Sequence, residues 1–149
     1  MENKIITIQD AIVRTNDILS SVIQLQLSLE EQLQELIKRN NAPIITVKGA
    51  KKIDFIPVHE IIYCSANLSY TEIVAENHSN IVASKPINDF ETCFSCYSFY
   101  RISKSILINV KQIHSYDRQN GQVIMKNKDV LDVARRRKSD FLSVVVPDY

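Results

Sequence analysis

The sequence is poor in glycine, with two in 149 residues, and it contains no tryptophan. Glycine-rich loops let the backbone approach phosphate groups closely, so two isolated glycines exclude the usual nucleotide-binding loop. No apolar run approaches the roughly 18 residues that a membrane-spanning helix needs. The first four residues lack the charged-then-apolar layout of a secretory signal peptide. We therefore expect a cytoplasmic protein without a membrane partner.

Cysteines are also few, and their odd number, three, argues against the disulfide framework of a secreted domain. Cys93 and Cys96 are two residues apart, but no second cysteine or histidine pair completes a zinc site. Because Cys96 lies in an aromatic segment, residues 94–100, and Cys93 directly precedes it, we expect both thiols to be buried in the core. Redox chemistry or adventitious metal binding is the alternative.

Catalytic motifs are equally scarce. His59, His78 and His114 are far apart in the sequence, and none has the spaced histidine or acidic neighbours of a metal-ligand set. The carboxylates are dispersed, and no nucleophile motif of the G-x-S-x-G type is present. We expect no catalytic residues, no metal, no cofactor and no small-molecule ligand.

A basic segment is present within a nearly neutral protein. The formal net charge is +1, yet residues 95–138 contain ten lysine and arginine residues against three aspartates. Such a local excess is typical of a protein that binds a polyanion. A merely solvated surface is the simpler explanation of any charge run, so this signal needs support from specific motifs.

Residues 8–39 contain neither glycine nor proline and predict one long helix. Thr7 and Asp10 resemble a capping box at its start, and Pro43 follows its end. Its length would be about 48 Å at 1.5 Å per residue. Apolar residues recur every three or four positions and form a first set, which a second set widens. The first set is Ile18, Val22, Leu25, Leu29, Leu33 and Leu36, and the second is Ile12, Leu19, Ile23, Leu27 and Ile37.

An apolar face of this length must be covered. We expect residues 8–39 to form a homodimer as a coiled coil, which divides the chain into a dimerisation helix at 1–42 and a second domain at 43–149. A helix folded back on its own domain, or docked on a different protein, is the alternative.

Short strands dominate the remainder of the chain. Asn120-Gly121 is a strong hairpin signal, and Pro86 is expected in the first turn of a short helix that carries Ile87, Phe90 and Phe94. A terminal helix is expected over 136–145. Many strands with few helices predict a mainly antiparallel β domain. The expected strands are 44–48, 53–57, 61–64, 70–75, 80–84, 99–102, 111–116, 122–125 and 130–133.

Residues 99–109, FYRISKSILIN, carry the most informative pattern: two aromatics, arginine, polar residues, an apolar triplet and asparagine. This pattern resembles the signature of the LytTR DNA-binding domain. Three further landmarks of that family occur in the same order, namely the strand and polar loop at 60–71, the helix at 86–94 and the arginine motif at 133–137. The resemblance covers residues 44–146, whereas the first 40 residues do not resemble the receiver domain that most LytTR proteins carry.

The resemblance implies a compact set of small antiparallel sheets with one short internal helix and a short C-terminal helix. It also implies that three loops enter successive major grooves of double-stranded DNA. Lysine and arginine can reach guanine O6 and N7, and asparagine can pair with adenine. Carried over by position, the candidates for base contacts are Asn67, Ser69, Tyr70, Ser103, Lys104 and Arg135.

Phosphate neutralisation would fall to other cations, which position a protein on DNA without reading its sequence. The candidates are Arg101, Arg136, Arg137 and Lys138. Structural alternatives remain open for Arg101, for Tyr70 as a half-buried packing residue, and for residues 135–137 as a solvated helix start. Asn109 is expected to satisfy buried backbone groups. The family pattern is not matched at Ser103, Lys104 and Ala134, where histidine, arginine or asparagine, and serine are common.

The leading functional hypothesis is a sequence-specific transcription regulator of bacterial type that binds two spaced half-sites as a homodimer. The alternative is a protein-interaction module whose helix docks on a different regulator or sensor and whose β domain binds DNA weakly.

Overall fold

The computed structural model describes residues 2–79 and 81–147. The chain divides into two compact units, Met1–Ala42 and Pro43–Tyr149. The first contains helix α1, Glu2–Asn40. The capping box predicted at Thr7 is wrong, because Thr7 lies inside the helix and its hydroxyl donates to the carbonyl of Asn3 at 2.6 Å. No glycine or proline occurs between Glu2 and Thr7, so the helical hydrogen bonds begin earlier than predicted.

The apolar side chains of α1 are open to solvent. Its isoleucines, leucines and valines are between 43% and 71% exposed. Positions 5 to 36 of α1 that alternate in steps of three and four residues form one regular register, which differs from the two apolar sets described from the sequence. Eight of its ten positions are apolar, Ile5, Ile8, Ile12, Leu19, Val22, Leu29, Leu33 and Leu36, and Thr15 and Gln26 occupy the other two.

Over residues 43–79 and 81–147, the second unit has ten strands, two α-helices and three turns of 3-10 helix. The strands are β1 (Ile44–Lys48), β2 (Ile53–Pro57), β3 (Ile61–Asn67), β4 (Tyr70–Ala75), β5 (Ile81–Ala83), β6 (Phe99–Arg101), β7 (Ile106–Asn109), β8 (Ile113–Asp117), β9 (Gln122–Met125) and β10 (Val130–Asp132). The helices are α2 (Ile87–Cys93) and α3 (Lys138–Val145), and the 3-10 turns are Val58–Glu60, Val110–Gln112 and Arg135–Arg137.

These strands form three antiparallel sheets. The largest has the order β5-β4-β3-β7-β6, and the others are β1-β2 and β10-β9-β8. The predicted fold class, a mainly antiparallel β domain with a short internal helix and a short terminal helix behind a long one, is confirmed.

Both faces of the five-stranded sheet are covered. Consecutive residues of a strand point to opposite faces, and β7 shows this directly. Leu107 packs in one core cluster with Phe94, which follows α2. Ile108 packs in the other with Phe141 of α3 and Met125 of β9. Polar loops therefore remain accessible at the ends of the strands.

Several predicted boundaries are corrected. Pro86 lies at the N-cap of α2 rather than in its first turn. The hairpin predicted at Asn120-Gly121 is found between β8 and β9, with four loop residues, 118–121, and Gly121 at φ +66°. The 3-10 turn at Val110–Gln112 delays β8 to Ile113. The strand predicted at 80–84 is found at Ile81–Ala83, and Asn80 lies outside the described residues.

The prediction that Cys93 and Cys96 are buried is wrong, because both are exposed. Phe90 and Phe94 are one helical turn apart and carry the buried face of this segment, which leaves the intervening Cys93 on the outer side. Cys64 is the buried thiol, and burial raises its pKa to about 12. The aromatic residues therefore correctly indicated that this segment contributes to the core, but they did not indicate which of its side chains are buried.

Candidate nucleic-acid interface

The three loops predicted to contact DNA meet at one end of the five-stranded sheet. The amide of Ala66, beside the β3–β4 turn, donates to the carbonyl of Ser105 in the β6–β7 loop at 2.7 Å. The amide of Ala134 donates to the carbonyl of Ile102 at 2.8 Å, which attaches the arginine segment to the same loop. Each bond lies within one residue of a predicted site segment, so residues 67–70, 103–104 and 135 form one continuous surface.

The β3–β4 turn is the first part of this surface. Asn67 pairs with Tyr70 across a two-residue turn, Leu68-Ser69, in which Leu68 has φ 56°. Tyr70 is 49% exposed, so about half of the residue is accessible and the rest lies against the protein. Asn67 is exposed, and its amide donates to the carboxylate of Glu72 at 2.9 Å. A base contact by Asn67 would have to replace that hydrogen bond.

Leu68 is a residue that the sequence reasoning missed. Its side chain is 96% exposed at the tip of the turn, although leucine is normally buried. A positive φ is also unfavourable for leucine. A leucine between two predicted strands, among polar turn residues, was the available signal.

Substituting Leu68 tests the strain in this turn. Leu68→Gly is expected to raise the free energy of unfolding by up to about 1 kcal/mol, because glycine accepts the positive φ and its own entropic cost is smaller than the strain. Urea unfolding measures this change. Leu68→Ala keeps the Cβ atom and should give no such gain, and a Leu68→Gly protein less stable than Leu68→Ala would contradict the assignment.

The β6–β7 loop is the second part. Lys104 and Ser105 are exposed and Ser103 is half-buried. The hydroxyl oxygen of Ser103 accepts a long hydrogen bond from the amide of Ser105 at 3.3 Å. The Lys104 side chain is therefore carried on a short, internally bonded loop between two strands of the central sheet.

The arginine segment is the third part. Arg135, Arg136 and Arg137 are exposed on the 3-10 turn before α3. Phe141 fixes α3 in the core, and the Tyr100 hydroxyl donates to the Asp140 carboxylate at 2.9 Å. Partial burial, followed by that hydrogen bond, raises the pKa of Tyr100. The cationic turn is thus held at the end of an anchored helix.

Arg137 and Lys138 are less free than Arg136. The guanidinium of Arg137 donates to the carbonyl of Arg101 at 2.8 Å. Lys138 is half-buried, and its ammonium group lies so close to Gly121 that a Cβ atom at this position would clash with it. Lys138 therefore borders the site, next to the β8–β9 turn. This turn is attached to the arginine segment by the hydrogen bond from the Val133 amide to the Gly121 carbonyl at 3.0 Å.

Arg101 requires a correction. Only 9% of it is exposed, and its guanidinium donates to Glu91 at 2.7 Å and to Asn88 at 3.0 Å. It also donates to the carbonyl oxygens of Ser103 and Lys104. A guanidinium with all of these partners is not available to a phosphate, so the structural alternative holds for Arg101. Asn109 is likewise internal, since its amide donates to the carbonyl of Ile61 at 2.9 Å.

Lys85 is a second residue that the sequence reasoning missed. The buried hydroxyl of Thr71 donates to the Lys85 carbonyl at 2.7 Å, which holds Lys85 beside the start of β4. Its side chain is exposed. Lys85 follows a strand that finishes at the end of the sheet where Tyr70 lies. This position could have indicated Lys85 only once the strand order was known.

Other kinds of site find no support in the described parts of the chain. No group of three or more histidine, cysteine, aspartate or glutamate side chains there could hold a metal ion. None of the helices in residues 2–79 and 81–147 is long and apolar enough to cross a membrane.

Clustered cations and polar loops at one end of a sheet are the surface features expected of a nucleic-acid-binding domain. The model of the LytTr DNA-binding domain matches residues 51–145, and the chain belongs to the LytTR family. LytTR is a family of DNA-binding domains rather than of enzymes. The resemblance found in the sequence is thereby confirmed, together with the DNA-binding character that it implied.

A solved structure has the same fold. It is described as the LytTr DNA-binding domain of a putative methyl-accepting/DNA response regulator from Bacillus cereus, and it is 22% identical to this chain, with a TM-score of 0.60. The match covers 69% of this chain and 96% of that one. The search of curated proteins gave no significant match.

Proposed function

We propose that the protein is a sequence-specific transcription regulator that binds two spaced half-sites of double-stranded DNA as a homodimer, in the cytoplasm of a bacterial-type cell. The observation that carries the proposal is the convergence of residues 67–70, 103–104 and 135 on one surface. In this account each β domain binds one half-site, and α1 pairs with α1 of a second copy.

Within one half-site, the exposed loop side chains divide by chemistry. Lys104 and Arg135 would donate to guanine, and Leu68 would contact the methyl group of thymine. Asn67, Ser69, Tyr70 and Ser103 would supply the remaining polar contacts to bases. Lys85, Arg136, Arg137 and Lys138 would neutralise phosphates.

Salt dependence tests the phosphate contacts. Each neutralised phosphate releases counterions and contributes about 0.9 to the slope of log affinity against log salt concentration. Four such cations in a domain predict a slope of about −3 to −4 for one half-site. Titrations of a labelled duplex between low and moderate salt measure it, and a flat response would exclude binding through this surface.

The homodimer is supported by the register of α1. Apolar residues spaced alternately by three and four form the seam of a left-handed coiled coil. Thr15 and Gln26 interrupt the seam. In a shifted pairing of the two helices, these polar side chains would face apolar partners, which disfavours such pairings. The positions directly beside the seam carry three charged residues, Lys4, Glu30 and Arg39, so the apolar seam rather than ion pairing would drive association.

Pairing would also explain how short loops achieve useful affinity. Two weakly binding domains joined in one molecule bind a paired site by effective concentration, which raises affinity without any new contact. Selection of bound sequences from random duplexes tests this. A pair of short motifs at fixed spacing is the expected result, whereas a single short motif would indicate independent domains.

The exposed helix also fits a different protein as its partner, which is the second candidate function. Light scattering during size exclusion separates the two. A measured mass of twice the chain mass of 17.1 kDa supports the homodimer. A monomeric mass would instead favour binding of α1 to another regulator or sensor.

A further inference from the structure

We infer that Arg101 is a positioning residue that shapes the Ser103–Lys104 loop for base recognition, without touching DNA itself. The inference rests on the proposed function, because it assigns a task to a buried side chain behind the proposed base-contact surface. It replaces the phosphate contact expected from the sequence.

The contacts of Arg101 divide between two sides of one guanidinium. On one side, its Nη1 donates to the carboxylate of Glu91 and to the amide oxygen of Asn88, both on α2. On the other, its Nε and Nη2 donate to the carbonyls of Ser103 and Lys104. The planar group therefore connects a helix that is fixed by core aromatics to two successive peptide units of the loop.

These two carbonyls lie beside an exposed lysine side chain in the part of the loop where strand pairing stops. A loop of polar residues would otherwise sample many backbone conformations, and ordering it on DNA would reduce affinity. Donation by a charged group is stronger than an ordinary hydrogen bond. The Arg101 guanidinium therefore fixes the backbone from which Lys104 projects before DNA arrives.

Arg101 also couples the loop to the arginine segment. Its own carbonyl accepts from Arg137 at 2.8 Å, and the neighbouring Ile102 carbonyl accepts from Ala134. A change in the backbone at residues 101–104 would consequently shift two of the three DNA-contacting segments together. Glu91 supplies the opposite charge, and its side chain is 49% exposed. A substitution of Glu91 therefore tests the ion pair from the α2 side.

Arg101→Lys is the main test, because lysine keeps the charge but cannot reach both carbonyls and both α2 acceptors with one planar group. The selected duplex and a scrambled duplex are titrated at several salt concentrations. We expect the ratio of the two affinities to fall at least tenfold, with an unchanged slope of log affinity against log salt. Glu91→Gln, which keeps an acceptor but removes the charge, should give a smaller loss of the same kind.

A phosphate contact predicts the opposite pattern. Its loss would weaken both duplexes equally and reduce the slope by about 0.9. Either that result or an unchanged affinity ratio would overturn the inference. Arg14→Lys, at an exposed arginine of α1 outside its three-and-four register, is the matched control and should leave the ratio and the slope unchanged.

Hydrogen exchange on the free protein separates failure of the inference from failure of the proposed function. Arg101→Lys should accelerate exchange of the Ser103 and Ser105 amides, while amides in the middle of β3 and β4 keep their protection. Unaltered exchange at residues 103–105 would overturn the inference even if the protein binds DNA. A wild-type protein that binds no duplex selectively would overturn the proposed function, and the exchange result would still decide whether Arg101 shapes the loop.

Discussion

Leu29→Asp is expected to convert the protein into a monomer and to weaken its binding to a paired site by about 10²–10⁴-fold. In the register of α1, Leu29 faces the seam, so a homodimer would bury two aspartates against each other. Burying unpaired charge costs several kcal/mol for each group, more than one seam leucine contributes. Monomeric domains would then lose the gain that comes from effective concentration. Size exclusion with light scattering and titration of a paired duplex measure the two effects.

Leu27→Asp is the matched control. Leu27 is on the same turn and 55% exposed, but it lies outside the three-and-four register. The same chemical change should therefore leave the dimer and its affinity for paired sites intact. If Leu27→Asp dissociated the protein while Leu29→Asp did not, the proposed register would be wrong. Binding of both variants to a single half-site should match that of the unaltered protein.

Arg135→Ala is expected to remove discrimination at one base position of each half-site, at a cost of about 1–3 kcal/mol. Lys104→Ala should do the same at a different position, because the two side chains lie on separate loops. The exposed arginine can form two parallel hydrogen bonds with guanine, which no other base satisfies. Affinities for duplexes substituted one base pair at a time measure the effect.

Arg136→Ala, next to Arg135, provides the comparison. As a phosphate contact, Arg136 should weaken binding to all duplexes alike and lower the salt slope by about 0.9. Uniform weakening by Arg135→Ala would assign Arg135 to phosphate as well. Position-dependent loss from Arg136→Ala would instead move the base contact to that residue.

Much of the fold followed from local patterns. Alternating apolar residues placed most strands within a few positions, and the glycine-free, proline-free segment after residue 8 indicated the long helix. The helix start was misplaced because Thr7 fits a capping motif whose use depends on the preceding residues. The thiols of Cys93 and Cys96 were misplaced because a short aromatic segment does not specify which of its side chains faces inward.

The site depended more heavily on tertiary contacts. The motif around Ser103 and Lys104 was visible in the sequence, but Arg101 belongs to the same motif and is buried. The burial of Arg101 and its partners in the fold, among them Glu91 ten residues earlier on α2, distinguish the two kinds of cation. Lys85 was missed for the same reason, since its place beside Tyr70 follows from the pairing of β4 with β5.

The most direct test is a nuclear magnetic resonance titration of the full chain with the selected duplex, followed through its backbone amides. We predict that amides in residues 67–70, 103–105 and 134–137 shift together, at the same DNA concentration, while those of β1 and β2 do not. Shifts confined to one of the three segments, or centred on β1 and β2, would contradict a single DNA-binding surface built from three loops.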